Sequence, residues 1–215
     1  MTDGLRRPLF GVVLGLVGFG LIAAWVFSGG SNELDVSLME QAKNLHGTVG
    51  NGLALFVSDG LGVFGLGPMA VVVTLGFIWK KRTRDGLVFG AAMVISVSLM
   101  WLLKELFARP RPDIFPWLDH ADGFAFPSGH TLTNFTFWCL LAVLLAASSR
   151  LPKAILWTFG LGMPLLTALM RVVAGVHWPT DVAAGLCLGM SVVSLAVLAR
   201  RRLLERAVNE ANARS

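Results

Sequence analysis

Six apolar runs, each close to the length that crosses a bilayer, dominate this chain. They fall at about Leu9 to Ser28, Leu61 to Trp79, Gly86 to Phe107, Thr131 to Ala147, Ala154 to Ala174 and Asp181 to Ala199. A spanning helix needs about 20 apolar residues, and backbone polar groups inside lipid must be paired within their own segment. Runs of this length therefore constrain the fold to a helical bundle. Composition agrees, with 55% hydrophobic residues, 14% charged residues and a mean hydropathy of +0.69. The expectation is an all-α integral membrane protein: one domain over residues 1–215, six transmembrane helices in a bundle, and no separate soluble module.

The formal charge of +5 raises the question of nucleic acid. The basic residues are scattered among loops instead of clustered on an aromatic-bearing surface, so no nucleic-acid partner is expected and the charge reads as topology. Lys and Arg near span ends favour the cytoplasmic side. With both termini inside, Arg6, Arg7, Lys80, Lys81, Arg82, Arg84, Arg150, Lys153, Arg200, Arg201, Arg202, Arg206 and Arg214 are cytoplasmic. Of the 18 basic residues only Lys43, Lys104, Arg109, Arg111 and Arg171 then lie elsewhere. Four of these five sit in the three motif-like segments below, which places all three segments on the outer face. The first run, preceded by Arg6 and Arg7, resembles a secretory signal, but its apolar length suits a retained anchor.

Between the first two runs, residues 31–60 place Leu34, Leu38 and Leu45 among Glu33, Asp35, Glu40 and Lys43, the pattern of a helix lying in the interface. Two roles fit it: a surface connector, or a gate through which a lipid enters. His46 has no partner nearby in sequence and reads as a solvated loop residue. The tail, residues 200–215, reads as a basic helical extension that binds anionic headgroups.

Lys104 stands about one helical turn inside the end of the third run, where a lysine either snorkels to the interface or serves a site. Arg109-Pro110-Arg111-Pro112 follows, and its two prolines hold the arginines on a stiff segment. Pro127-Ser128-Gly129-His130 opens the fourth run as a helix start: Ser128 suits the N-cap, Gly129 permits close approach to the backbone, and the free first-turn N–H groups form an anion site. An ordinary capped helix fits the tetrapeptide equally well. Arg171 lies near the end of the fifth run, His177 in a short connection, and Thr180 suits the cap of the last helix with Asp181 in its first turn. If that connection folds back, Asp181 can accept a hydrogen bond from one ring nitrogen of His177 and leave the other as a nucleophile.

A lysine, six intervening residues, Arg-Pro, then Pro-Ser-Gly-His, then Arg with five residues before His and three more before Asp resembles the type 2 phosphatidic acid phosphatase family, itself similar to the vanadium haloperoxidases. The resemblance covers the core, about residues 61–199. It implies that Lys104, Arg111 and Arg171 hold the phosphoryl oxygens, with hydrogen bonds from Ser128 and the Gly129 backbone. It implies further that His177 attacks phosphorus, that Asp181 orients it, and that His130 protonates the leaving oxygen and then activates water. Two features depart from the family pattern. Met170 stands where a serine is common before the third-motif arginine, and Arg109 is an additional cation, expected to be either a loop cation or a contact to a second phosphate.

A metal mechanism would need clustered ligands. Asp113, Asp119, His120 and Asp122 are the candidates; their spacing matches no metal site, and they read as a solvated acidic loop. Cys139 and Cys187 lie inside apolar runs and read as reduced packing residues, with a disulfide left open. The function expected is that of a lipid phosphatase without cofactor or metal, acting at the outer leaflet of a bacterial cytoplasmic membrane through a phosphohistidine. Its partners are membrane lipids and a lipid phosphate substrate, first undecaprenyl diphosphate. Phosphatidylglycerophosphate, phosphatidate and lipid A are the alternatives, and a non-catalytic transporter or scaffold is the remote one.

Overall fold

The computed structural model describes residues 3–213, so Arg214, counted above among the cytoplasmic cations, lies outside them. Among the described residues there is no strand. The helices are α1 (Asp3–Phe27), α2 (Asn32–Lys43), α3 (Thr48–Gly60), α4 (Val63–Trp79), α5 (Thr83–Phe107), α6 (Gly129–Ala146), α7 (Lys153–Val173) and α8 (Pro179–Asn212).

Five of them, α1, α5, α6, α7 and α8, are long and apolar enough to cross a membrane. The second expected run departs from the reading: α4 alone has 17 residues, and it reaches spanning length only together with α3, from which it is bent by 53°. The bundle therefore has five such spans, or six if the bent pair is one. At the break Gly62 is extended, and the Asn134 side chain of α6 donates to the Leu61 carbonyl at 2.8 Å, pairing a group that the interrupted helix leaves open. The last helix also exceeds its expected end, since α8 runs without interruption through Arg200, Arg201, Arg202 and Arg206.

α6 is the central helix, packed against α4, α5, α7 and α8. Leu132, Phe137, Leu140 and Leu144 fill its buried faces, and Phe137 meets Phe89 of α5 edge-on at 5.3 Å. Its buried threonines are satisfied locally: Thr133 and Thr136 donate to carbonyls four residues back, and Thr136 also pairs with Ser96 of α5 at 2.8 Å. α1 lies along α8. A side chain at Gly15 would overlap the Ser191 hydroxyl and come within 2.5 Å of the Cys187 carbonyl, so the close approach of these two helices requires glycine there. Cys139 and Cys187 are both unpaired, and Cys139 donates to the Gly160 carbonyl.

The α2 region adds to one expectation and corrects another. Leu34, Leu38 and Leu45 are indeed exposed, but the opposite face of α2, Asp35, Met39 and Ala42, is buried against the bundle. His46 is not a solvated loop residue. Its Nε2 lies 2.9 Å from the Val173 carbonyl and its ring meets Phe115 edge-on, which ties the α2–α3 connection to the end of α7.

At the end of the bundle away from the three motifs, Asp85 joins the α4–α5 turn to α8. Its two oxygens accept from Arg82 Nε at 2.7 Å and Arg200 Nε at 2.6 Å, and Arg82 also donates to the Leu144 carbonyl of α6.

Candidate active site

The three motifs converge at one end of the bundle, around the turn from α7 to α8. α7 stops because Gly175 takes a left-handed φ of 80°, which glycine adopts without strain, and the turn leads directly to His177 and the start of α8. His177 is almost wholly buried, 1% exposed. Its Nδ1 lies 3.4 Å from Asp181 Oδ2. With Asp181 as a carboxylate, which only accepts, this contact is a hydrogen bond in the Nδ1–H tautomer, the form that leaves Nε2 its lone pair. Burial first, and then the charges of Arg111, Arg171, Lys104 and His130, hold the His177 pKa well below its ordinary value, so the imidazole is neutral. Those four neighbours are residues of all three motifs.

Asp181 sits where a capping box places its acid. Its Oδ2 accepts the Trp178 N–H at 2.9 Å, reaching back to the residue at the cap. Trp178 thus holds the position expected of Thr180, and Thr180 turns its hydroxyl elsewhere, to Asp35 Oδ2 at 2.7 Å.

Arg171, on the last turn of α7, is 2% exposed. One terminal nitrogen donates to Asp119 Oδ2 at 2.8 Å and to the Ser58 hydroxyl of α3, while its Nε is buried with no hydrogen-bond partner. Asp119 is therefore not part of a solvated acidic loop. Burial pushes its carboxyl up, but the hydrogen bond and charge of Arg171 together outweigh that and hold it below the usual range. Of the other acidic-loop residues, His120 and Asp122 are exposed, with His120 Nε2 3.1 Å from Asp122 Oδ1. Arg111 donates through Nε to the Gly123 carbonyl, and through its terminal nitrogens to the carbonyls of Asp122 and Val176. It fastens the α5–α6 loop to the residue before His177, and two of its five N–H groups remain available. Burial and the charge of Arg171 bring its pKa down to about 10. Lys104, half-buried on the last turn of α5, forms no ion pair among the described residues.

Arg109 departs from the expected second-phosphate contact. It is buried, donating from one nitrogen to Asp181 Oδ1 at 2.6 Å and Thr180 Oγ1 at 2.8 Å, and from the other to Asp35 Oδ2 at 2.7 Å. Two carboxylates already neutralise it, so it does not offer a charge to a second phosphate.

Ser128 holds the N-cap position of α6, but its hydroxyl caps nothing; it accepts from Thr131 Oγ1 at 3.1 Å and keeps its own proton to donate. The first intrahelical bond of α6 runs from Leu132 to the Ser128 carbonyl, so the N–H groups of Gly129, His130 and Thr131 precede it. A side chain at Gly129 would meet the flexible end of Met100 of α5, so glycine also serves close helix packing at that position. His130 Nε2 lies 3.3 Å from the Ser58 carbonyl, which places it beside the Ser58–Arg171 contact. Met170, where the family pattern has a serine, is buried in the core of the bundle.

Sequence reasoning missed Asp35, Ser58 and Asn134. Asp35 alone left a signal, since it recurs with Met39 and Ala42 at the spacing of one helix face.

Comparison with known proteins bears on this arrangement. A phosphatidylglycerophosphatase B of Bacillus subtilis is 32% identical over 128 residues, covering 57% of this chain and 62% of that protein. A putative undecaprenyl-diphosphatase of Escherichia coli is 34% identical over 146 residues, covering 64% of this chain and 67% of the other. The crystal structure of a transmembrane PAP2-type phosphatidylglycerolphosphate phosphatase from Bacillus subtilis superposes with a TM-score of 0.79 at 26% identity, over 87% of this chain and 94% of that one. The matched region thus spans less than two thirds of the first of these relatives. Residues 85–205, which carry every motif described above, match the model of the PAP2 superfamily, and the chain belongs to that family.

Proposed function

We propose that this protein is a metal-independent lipid phosphatase that transfers a phosphoryl group through His177. The observation that carries the reading is a buried imidazole whose Nδ1 faces the Asp181 carboxylate, set among the charges of Lys104, Arg111 and Arg171. Barriers to phosphoryl transfer depend chiefly on stabilising charge spread over the phosphoryl oxygens, and preorganised cations supply that without reorganisation. Lys104, Arg171 and the spare N–H groups of Arg111 take the nonbridging oxygens, assisted by Ser128 Oγ and the Gly129 N–H. His177 Nε2 attacks phosphorus in line as the bond to the departing lipid oxygen breaks, and His130 gives that oxygen a proton. A water then attacks the phosphohistidine, His130 takes its proton, the P–N bond breaks, and phosphate leaves.

The substrate is a lipid phosphate or diphosphate. Undecaprenyl diphosphate is the first candidate, as in the name of the Escherichia relative, and phosphatidylglycerophosphate the second, supported by the Bacillus sequence and fold. The neutralised Arg109 removes one reason for preferring a diphosphate. The α3–α4 pair counts in this reading as one bent span, which gives six. Both termini and the Asp85 cluster face the cytoplasm of a bacterial cell, the site faces outward, and the exposed leucines of α2 float in the headgroup region.

The test is a turnover panel on detergent-solubilised protein in excess chelator, using undecaprenyl diphosphate, phosphatidylglycerophosphate, phosphatidate and lipid A. Phosphate release that survives EDTA, is blocked by vanadate and disappears in His177→Ala supports the reading. A requirement for added divalent metal overturns it.

A further inference from the structure

We propose that Asp35 and Arg109 are positioning residues that aim the His177 nucleophile, and that α2 is the strap delivering the first of them to the site. The proposal rests on the phosphoryl-transfer reading of His177 given above.

Asp35 is fully buried, on a helix whose other face exposes leucines. A carboxylate in such a place costs several kcal/mol unless it is paired and hydrogen-bonded. Asp35 is held by three donors: Thr180 N–H to Oδ1 at 3.0 Å, and Thr180 Oγ1 and Arg109 to Oδ2 at 2.7 Å each. The Thr180 hydroxyl donates to Asp35 and accepts from Arg109, which uses both of its capacities. Arg109 then reaches Asp181 Oδ1. The chain of contacts runs from α2, through the Pro-bounded arginine, to the first turn of α8.

The distances indicate which bonds set the position of Asp181. Arg109 holds one oxygen at 2.6 Å and the Trp178 N–H holds the other at 2.9 Å, while the bond to His177 is the longest of the three at 3.4 Å. Asp181 is thus placed by its clamp, and His177 takes its orientation from Asp181. Asp35 has a second effect. With two carboxylates on one guanidinium, Arg109 does not draw the whole of its charge onto Asp181, so that carboxylate remains a good acceptor for the His177 Nδ1–H. A lysine at 109 would present one nitrogen where the geometry uses two held in a plane.

The contact spans 74 residues between Asp35 and Arg109 and joins two segments with no common motif, which is why neither was assigned this role from the sequence. A purely structural ion pair would anchor α2 to the loop without addressing Asp181. The observed fork addresses both.

The experiment uses the full chain in detergent, with Asp35→Asn and, as a second near-isosteric change, Thr180→Val. Misplacing a catalytic group by about 1 Å can cost about a hundredfold. The expected result is a kcat about tenfold to a hundredfold lower, with KM for the lipid phosphate and the inhibition constant of vanadate within about threefold of the unaltered chain, because Lys104, Arg111 and Arg171 are untouched. Arg109→Lys is expected to restore no more than a small part of the activity that Arg109→Ala loses. The second readout needs no turnover: in 15N-histidine spectra, with His177→Ala used to assign the signal, the Nδ1–H tautomer of His177 gives way to a mixture in both variants. Unchanged kcat per folded molecule with losses only in yield or thermal stability overturns the proposal, as does a His177 spectrum identical to that of the unaltered chain. If the unaltered chain releases no phosphate from any lipid, the phosphatase reading fails by itself, and the tautomer measurement still decides this one.

Discussion

The two ends of the bundle each carry a buried ionic cluster, and they differ in how the charges are paired. At one end Asp85 lies between Arg82 and Arg200, both oxygens occupied, and the cluster ties a turn to α8. At the other, Asp35, Arg109 and Asp181 form a similarly closed set, but Lys104, Arg111 and Arg171 stand beside it with Asp119 as their only carboxylate contact among the described residues. The orphaned Nε of Arg171 belongs to this end. Closed clusters hold helices together, whereas cations such as Lys104 and Arg111, with no carboxylate in contact among the described residues, can serve an anion. The difference separates architecture from chemistry within one molecule.

That separation breaks most sharply, or holds, at His177. His177→Ala is expected to lower kcat by at least about a thousandfold, since removal of a nucleophile leaves only binding and charge stabilisation; Asp85→Asn, measured on the same lipid, is expected to leave kcat within twofold. Arg171→Met comes next, with a loss of about a hundredfold in kcat/KM, the scale of one preorganised donor to a developing oxyanion. At the opposite end the change should appear in stability instead: Asp85→Asn removes a charge that two arginines share and is expected to cost about 1–3 kcal/mol, read as a lower Tm without loss of activity. Asp119→Asn sharpens the comparison from the other direction. Relieving Arg171 of its carboxylate is expected to tighten vanadate inhibition by about twofold to fivefold, the range of a partly solvated ion pair.

The smallest expected effect is an absence. The His177 pKa is depressed, so its neutral form persists as pH falls through about 6.5, where an ordinary histidine would gain a proton. Its 15N signal should therefore not titrate between about pH 7.5 and 6. The same sign makes the folded state lose stability below about 6.5, where the unfolded chain binds a proton that the native imidazole refuses.

Much of the site was legible because its residues announce themselves against an apolar background. Lys104, Arg171 and the Arg109–Pro112 segment are charges that the topology rule does not explain, and short spacings bind His177 to Asp181. What was not legible arrives by tertiary contact. Asp35 and Ser58 come from helices of no obvious chemistry, and Asp119 looked like one more loop acid until the fold set it against Arg171. Arg109 and Arg111 share a stiff tetrapeptide, yet one turns into an acidic clamp and the other toward backbone carbonyls; their side-chain directions depend on α2 and the α7–α8 turn, which no local pattern specifies. The fold shows the same limit. Helix lengths followed hydropathy closely in α5, α6 and α7, whereas the break between α3 and α4 is where the Asn134 side chain reaches Leu61 from another helix, a contact no local pattern announces.

If Lys104, Arg111 and Arg171 surround a nucleophilic histidine, the phosphorylated protein can be trapped. Purified chain would be quenched during turnover of a 32P-labelled lipid phosphate, with His130→Ala used to slow release of the intermediate. An acid-labile, base-stable label is expected on His177, enriched in the His130 variant and absent from His177→Ala. Label on another residue, or full turnover by His177→Ala, would contradict it.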